Sequence, residues 1–144
     1  MTQMRQPYLS FRVGTQRYGL QLDQVAEVLP LMTLTELPDA RSGAVWLMNL
    51  RGAVAHVIDL RLRLGIAQPD YTLDTPIIVV RTVHGLMGLM VDDADKVERI
   101  SEVDTVTYQG ANAAYVRGVA RLHQGLLLLL DSNKLTAEIQ IAAL

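Results

Sequence analysis

Arg12-Val-Gly-Thr-Gln-Arg-Tyr-Gly-Leu-Gln-Leu-Asp23 and Arg81-Thr-Val-His-Gly-Leu-Met-Gly-Leu-Met-Val-Asp92 are two versions of one pattern, about 69 residues apart. Each places an arginine before a turn, then closes on Gly19-Leu-Gln-Leu-Asp23 or Gly88-Leu-Met-Val-Asp92. The flanks are strand-like. Tyr8 to Val13 alternates apolar and polar residues, Gly14 to Arg17 reads as a turn, and Tyr18 to Leu22 alternates again, which is a hairpin pattern. In the second copy the β-branched run Pro76 to Val80 predicts a strand, His84-Gly85 a turn, and Leu86 to Val91 the partner strand. Val28 meets Val97 at the same offset.

Outward from this pair the chain keeps reading as short strands. Val45 to Leu50 and Ala53 to Ile58 flank an Arg51-Gly52 turn, and Tyr115 to Leu122 and Leu126 to Leu130 flank His123-Gln-Gly125. Strands are also expected over Lys96 to Ile100 and Val103 to Tyr108. A looser echo joins Arg51-Gly52 and Val57-Ile-Asp59 to Arg117-Gly118 and Leu129-Leu-Asp131. Asp23 is placed to cap a short helix through Val28, which Pro30 would end. Asp59 to Leu64 alternates charge with leucine and fits either a strand with one charged face or a helical turn capped by Asp59. Pro38 to Gly43 and Gln109 to Asn112 read as loops, Gln68 to Asp74 as a linker, and residues 132–143 as a C-terminal helix. The expected organisation is one domain, 1–144, built from two related units at 8–65 and 75–135. Each is too small to be comfortably stable alone, so two small β-barrels sharing one core would meet the need. Whether strands pass between the units is left open.

The 144 residues are 50% hydrophobic with a net charge of -2, a composition that folds rather than stays disordered. With no cysteine there can be no disulfide, thiolate metal site or thiol nucleophile. Basic residues do not exceed acidic ones and aromatics are scarce, which argues against a nucleic-acid surface. The cationic residues are almost all arginine, Lys96 and Lys134 being the lysines. No apolar signal-peptide core precedes Tyr8, and the Leu126 to Leu130 run is too short to span a bilayer, so the expectation is a cytoplasmic protein with no direct membrane insertion. Asp92, Asp93, Asp95 and Glu98 form the best metal candidate, yet counting an EF-hand loop from Asp93 puts Glu98 and Asp104 where Gly and Glu are needed. His56, His84 and His123 show no ligand spacing, and no serine sits in a nucleophile elbow. Gly14 to Gly19 has P-loop glycine spacing without the lysine that follows it. No catalytic residue, cofactor or metal is expected. Met48, Met87 and Met90 fit either core or a plastic groove, and Trp46 either core or a partner anchor.

Taken together, these motifs resemble the CheW-like family of chemotaxis adaptors from Tyr8 to Leu135. The resemblance is carried by Phe11-Arg-Val-Gly14, Tyr18-Gly-Leu20 and Val25-Ala-Glu-Val28, and above all by Asn49-Leu-Arg-Gly52 followed by Val57-Ile-Asp-Leu-Arg-Leu-Arg-Leu-Gly65. Gly88 to Asp92, Val97, and Gly118 to Leu122 through Asp131 continue it. It implies an all-β fold of two intertwined five-stranded SH3- or OB-like barrels with short connecting helices and a C-terminal helix. It also implies a non-catalytic, standalone scaffold linking the cytoplasmic tips of transmembrane chemoreceptors to the regulatory domain of the histidine kinase CheA, associated with membrane receptor arrays. By the same resemblance Glu27 and Arg51 match a charged pair at the partner-facing surface, and Val25 and Val97 flank a receptor-binding groove. Two positions depart from the family pattern: Trp46 stands where glycine is usual and His56 where proline is usual. The Trp46 change falls close to the expected receptor surface. The competing readings are an adaptor of a non-flagellar pathway such as twitching motility or development, a small-barrel nucleic-acid binder, and a metal protein using the Asp92–Glu98 cluster.

Overall fold

The computed structural model describes residues 5–36, 45–66, 72–101, 103 and 112–142. The strands are β1 (Gln6–Val13), β2 (Gln16–Gln21), β3 (Val25–Pro30), β4 (Thr35–Glu36), β5 (Val45–Leu50), β6 (Ala53–Asp59), β7 (Pro76–Thr82), β8 (Gly85–Met90), β9 (Asp93–Ile100), β10 (Val116–Leu122) and β11 (Gly125–Leu130). Two α-helices, α1 (Leu60–Arg63) and α2 (Ser132–Ala142), follow β6 and β11. The expected strand at 103–108, the loop at 38–43 and the middle of the 68–74 linker fall largely outside the described residues.

The strands form two sheets, ordered β10-β11-β2-β1-β9 and β3-β7-β8-β6-β5-β4. Each sheet is built around a hairpin, β1–β2 or β7–β8, and these hairpins are the two copies of the opening repeat. The neighbours of each hairpin come from the other half of the sequence. β9 pairs with β1 and β11 lies parallel to β2, while β3 pairs with β7 and β6 lies parallel to β8. The chain is therefore all-β, with two small sheets exchanging strands reciprocally.

Glycine makes the parallel contacts possible. Gly19 stands beside Leu129 and Gly88 beside Val57. A methyl group on Gly88 would lie 2.8 Å from Ile77 Cγ2, and one on Gly19 would lie 3.0 Å from the Cδ2 atoms of Leu127 and Leu129. Both repeats keep glycine where a second strand crosses at close range. The largest core cluster also spans both halves, joining Phe11, Leu20 and Ile58 to Ile78, Leu89 and Leu130. Met48, Met87 and Met90 are buried core residues.

Local details differ from the sequence expectations in three places. Asp23 does not cap a helix through Val28. Leu22–Gln24 is a single 3₁₀ turn, Asp23 lies inside it, and Val25 starts β3. Valines at 25 and 28 favour extended backbone, and the Arg81 guanidinium Nη1 donates to the carbonyls of Asp23 (3.2 Å) and Val25 (3.0 Å), fastening the strand's start. Asp59 to Leu64 resolves as a helical turn, with the Arg61 N–H donating to Asp59 Oδ1 at 2.9 Å. In the looser echo, Val57-Ile-Asp59 and Leu129-Leu-Asp131 correspond, since both aspartates cap the helix that follows. Arg117-Gly118 does not match the Arg51-Gly52 turn, because it lies within β10 at a register irregularity.

The Asp92 carboxylate is a structural anchor. Arg61, 1% exposed, reaches Asp59 Oδ1 at 3.3 Å and Asp92 Oδ1 at 3.1 Å. The other Asp92 oxygen accepts from the Gly14 N–H at 2.6 Å. One guanidinium thus ties the end of the first unit to the β8–β9 corner of the second, and through Asp92 to the β1–β2 turn.

Two stability outcomes follow, both measurable by urea unfolding. Arg61→Ala leaves two carboxylates without their buried counter-charge and costs about 3–5 kcal/mol. Gly88→Ala destabilises by about 1–3 kcal/mol, and by more than Gly19→Ala. The stiff β-branched Ile77 cannot swing away from the new methyl group as the leucine ends beside Gly19 can.

Candidate functional site

The β5–β6 hairpin turns on two residues, Arg51 and Gly52, between the paired Leu50 and Ala53. Both have positive φ, 52° and 88°, the geometry of a type I′ turn. Arg51 is the only non-glycine residue with positive φ among the described residues. The conformation follows the right-handed twist of the strands but favours Asn, Asp or Gly over arginine. Asn49 Oδ1 accepts from the Gly52 N–H at 2.9 Å and steadies the turn. Asn49-Leu-Arg-Gly52 is therefore a unit: Asn49 braces, Gly52 supplies the second left-handed residue, and Arg51 is lifted off the barrel.

Its side chain is 70% exposed, and Nη2 donates to Glu27 Oε1 at 2.6 Å. Glu27 comes from β3, which ends its sheet on the side opposite β5 and β4. The ion pair thus bridges the gap between edge strands that the sheet's ladder leaves unjoined. The hydrogen bond from Arg51 is the main cause that holds the Glu27 carboxyl below its ordinary range, reinforced by the positive charge of Arg51 and opposed by partial desolvation. The hydrogen bond from Glu27 and its charge likewise hold Arg51 protonated.

Val25, at the start of β3, is half-buried and packs against the large core cluster, with Arg81 holding its carbonyl. Val28, two residues past the register shift at Val25/Glu27, is exposed. Val97 is 46% exposed on β9, in the other sheet. Trp46 is half-buried on β5, across from Glu36 and Val57, and packs against the Met48–Val57–Ile77 cluster. The structure thus brings Glu27 and Arg51 into contact, places Val25 and Trp46 in the same sheet, and puts Val97 in the other. His56 is half-buried on β6 with Leu47 and Met87 as register partners, so its N–H belongs to a strand paired on both sides, where a proline would offer none.

Sequence reasoning did not assign two supporting roles, the brace by Asn49 and the anchoring of β3 by Arg81. A signal for Arg81 was present in its match to Arg12 across the repeat. For Asn49 it was the Asn two residues before a left-handed turn position, a common local acceptor.

These features define a class: a strand-exchanged double β-barrel module that offers partners a braced arginine at a hairpin tip. The chain belongs to the CheW-like domain family, whose model matches residues 7–140. It is 27% identical to a probable chemotaxis protein CheW of Rhizobium etli, over 94% of this chain and 90% of that protein. It is 28% identical to the chemotaxis protein CheW of Thermotoga maritima, over 92% of this chain and 89% of that one. The crystal structure of the scaffolding protein TtCheW from Thermoanaerobacter tengcongensis superposes with a TM-score of 0.85 at 27% identity, covering 92% of each chain.

The ion pair has a definite pH signature. Glu27 remains ionised to lower pH in the folded chain than in an unfolded one. Its contribution to stability is therefore present above the ordinary carboxylate range and is lost as pH falls through the lowered folded value. Carbon NMR of the Glu27 carboxyl should give a titration midpoint below the usual glutamate value in the wild type and a higher one in Arg51→Gln. Equal midpoints would show that the pair does not form in solution.

Proposed function

We propose that this chain is a non-catalytic signalling scaffold that couples chemoreceptor cytoplasmic tips to the regulatory domain of the histidine kinase CheA, working in the cytoplasm beneath membrane receptor arrays. Membership of the CheW-like family supports this reading. The observation that carries it to particular residues is Arg51, an exposed arginine in a backbone conformation that suits Asn or Gly better. Such local strain points to a role beyond the fold. Glu27 pre-orients the guanidinium, leaving donors of its fork for a partner carboxylate. Val25 and Val97 would contribute apolar contact to an amphipathic receptor hairpin, and Trp46 would shape that surface. No helix among the described residues is long and apolar enough to cross a membrane, so attachment to arrays would run through protein partners.

The decisive experiment is a charge swap. Arg51→Glu should lower recovery of the ternary complex with purified CheA and receptor fragments. Arg51→Glu combined with Glu27→Arg restores an internal pair but should not restore assembly if partners read the charge at the hairpin tip. Normal assembly by Arg51→Glu would remove these residues from the interface. Arg51→Gly should leave folding stability equal or higher, measured by urea unfolding, while still weakening assembly.

A further inference from the structure

The repeat makes the two sheets comparable residue by residue, and their edge gaps carry different charge. Glu27 stands opposite Val79 on β7, and Lys96 stands opposite Ser10 on β1. Val79 and Ser10 are equivalent positions of the two repeated hairpins, so Lys96 is the counterpart of Glu27. Arg51 is the first residue of the turn between Leu50 and Ala53, and His123 is the first residue of the turn between Leu122 and Gly125. The first gap is bridged by a carboxylate and a guanidinium. The second has an ammonium and an imidazole at the same two places, a combination that cannot form that bridge.

The second gap is a cleft of about 560 Å³ between the end of β9 and the β10–β11 turn. β9 and β10 are the two outermost strands of their sheet. Arg5, Arg99, Arg121 and His123 line the cleft around one carboxylate, Glu98, with Ile100 and Leu122 contributing apolar surface. Glu98 is itself paired with Lys96 at 3.5 Å. On a chain whose net charge is -2, this is a local concentration of positive charge in a concave site.

We infer that this cleft is a second interaction surface, one that takes an acidic segment of a partner protein. The internal Glu27–Arg51 pair shows the chemistry that fits such a gap: a carboxylate carried on extended backbone meeting a guanidinium at the hairpin end. In the second gap the partner supplies the carboxylates. A protein segment suits the cleft better than a nucleic acid, because the cleft includes Glu98 and apolar Ile100 and Leu122 but no aromatic platform for bases. Arginine forks also favour planar carboxylates.

The test uses the whole chain and a fluorescein-labelled peptide of glutamates alternating with serines around one central leucine. Polarisation should show salt-dependent binding that the Gln-for-Glu peptide lacks. Arg99→Glu with Arg121→Glu should weaken it by about tenfold or more, with circular dichroism unchanged. Arg51→Glu should leave it intact, which separates this surface from the one proposed for receptor and kinase. Absence of binding, or binding unaffected by the double variant, overturns the inference. Equal affinity for oligothymidylate would make the cleft a general anion site and overturn it as well. So would self-association in sedimentation that the double variant abolishes, since that assigns the cleft to a second copy.

Discussion

Neither half of this chain can complete a sheet from its own strands. β2 finds its parallel neighbour in β11 and β8 finds its own in β6, and each contact passes over a glycine, Gly19 or Gly88. Everything else depends on that crossing. The core is continuous across the halves because the sheets that enclose it are shared. The buried Arg61 can bridge Asp59 and Asp92 because the exchange brings the end of one unit against the corner of the other. Two units that would each be marginal alone form one body large enough to bury a core.

The exchange also sets the surface. It leaves two equivalent gaps, one per sheet, between edge strands and a hairpin tip. Evolution of the two copies has gone in opposite directions at these places. One gap holds Glu27 and Arg51, locked together at 2.6 Å on a strained but braced turn. The other holds Lys96 and His123 beside a cleft lined with arginine. A pseudo-symmetric backbone thus carries an asymmetric charge pattern, which lets one small domain address chemically different partners without confusing its two ends.

Much of this was legible in the residues. Period-two alternation and turn glycines located the hairpins, and the Arg12/Arg81 and Gly19/Gly88 matches exposed the duplication. Those signals are local or come from comparing the chain with itself. The Asp23 region misled because a good N-cap residue next to two valines reads alike in a helix start and in a 3₁₀ turn. The pairing of β3 with β7 and the hold of Arg81 on its carbonyls decide it, and both come from distant sequence. Asp92 was weighed as a metal ligand because its neighbours in sequence are acidic. Its neighbours in space are Arg61, Arg12 and the Gly14 N–H, which no local pattern discloses. The Glu27–Arg51 pair came to notice through family resemblance, and the reason for Arg51's posture emerges only from its backbone angles.

The parallel pairing of Tyr18 with Leu128 has a consequence for the order of synthesis. A chain emerging from the ribosome exposes β2 early, but its partner strand leaves almost last. The β1–β2 hairpin must wait through nearly the whole translation with one edge open, and folding to the final state is gated by the C-terminal hairpin. Long-range closure of this kind is slow and leaves sticky strand edges in the meantime. The module is therefore made essentially all at once, at the end of its own translation.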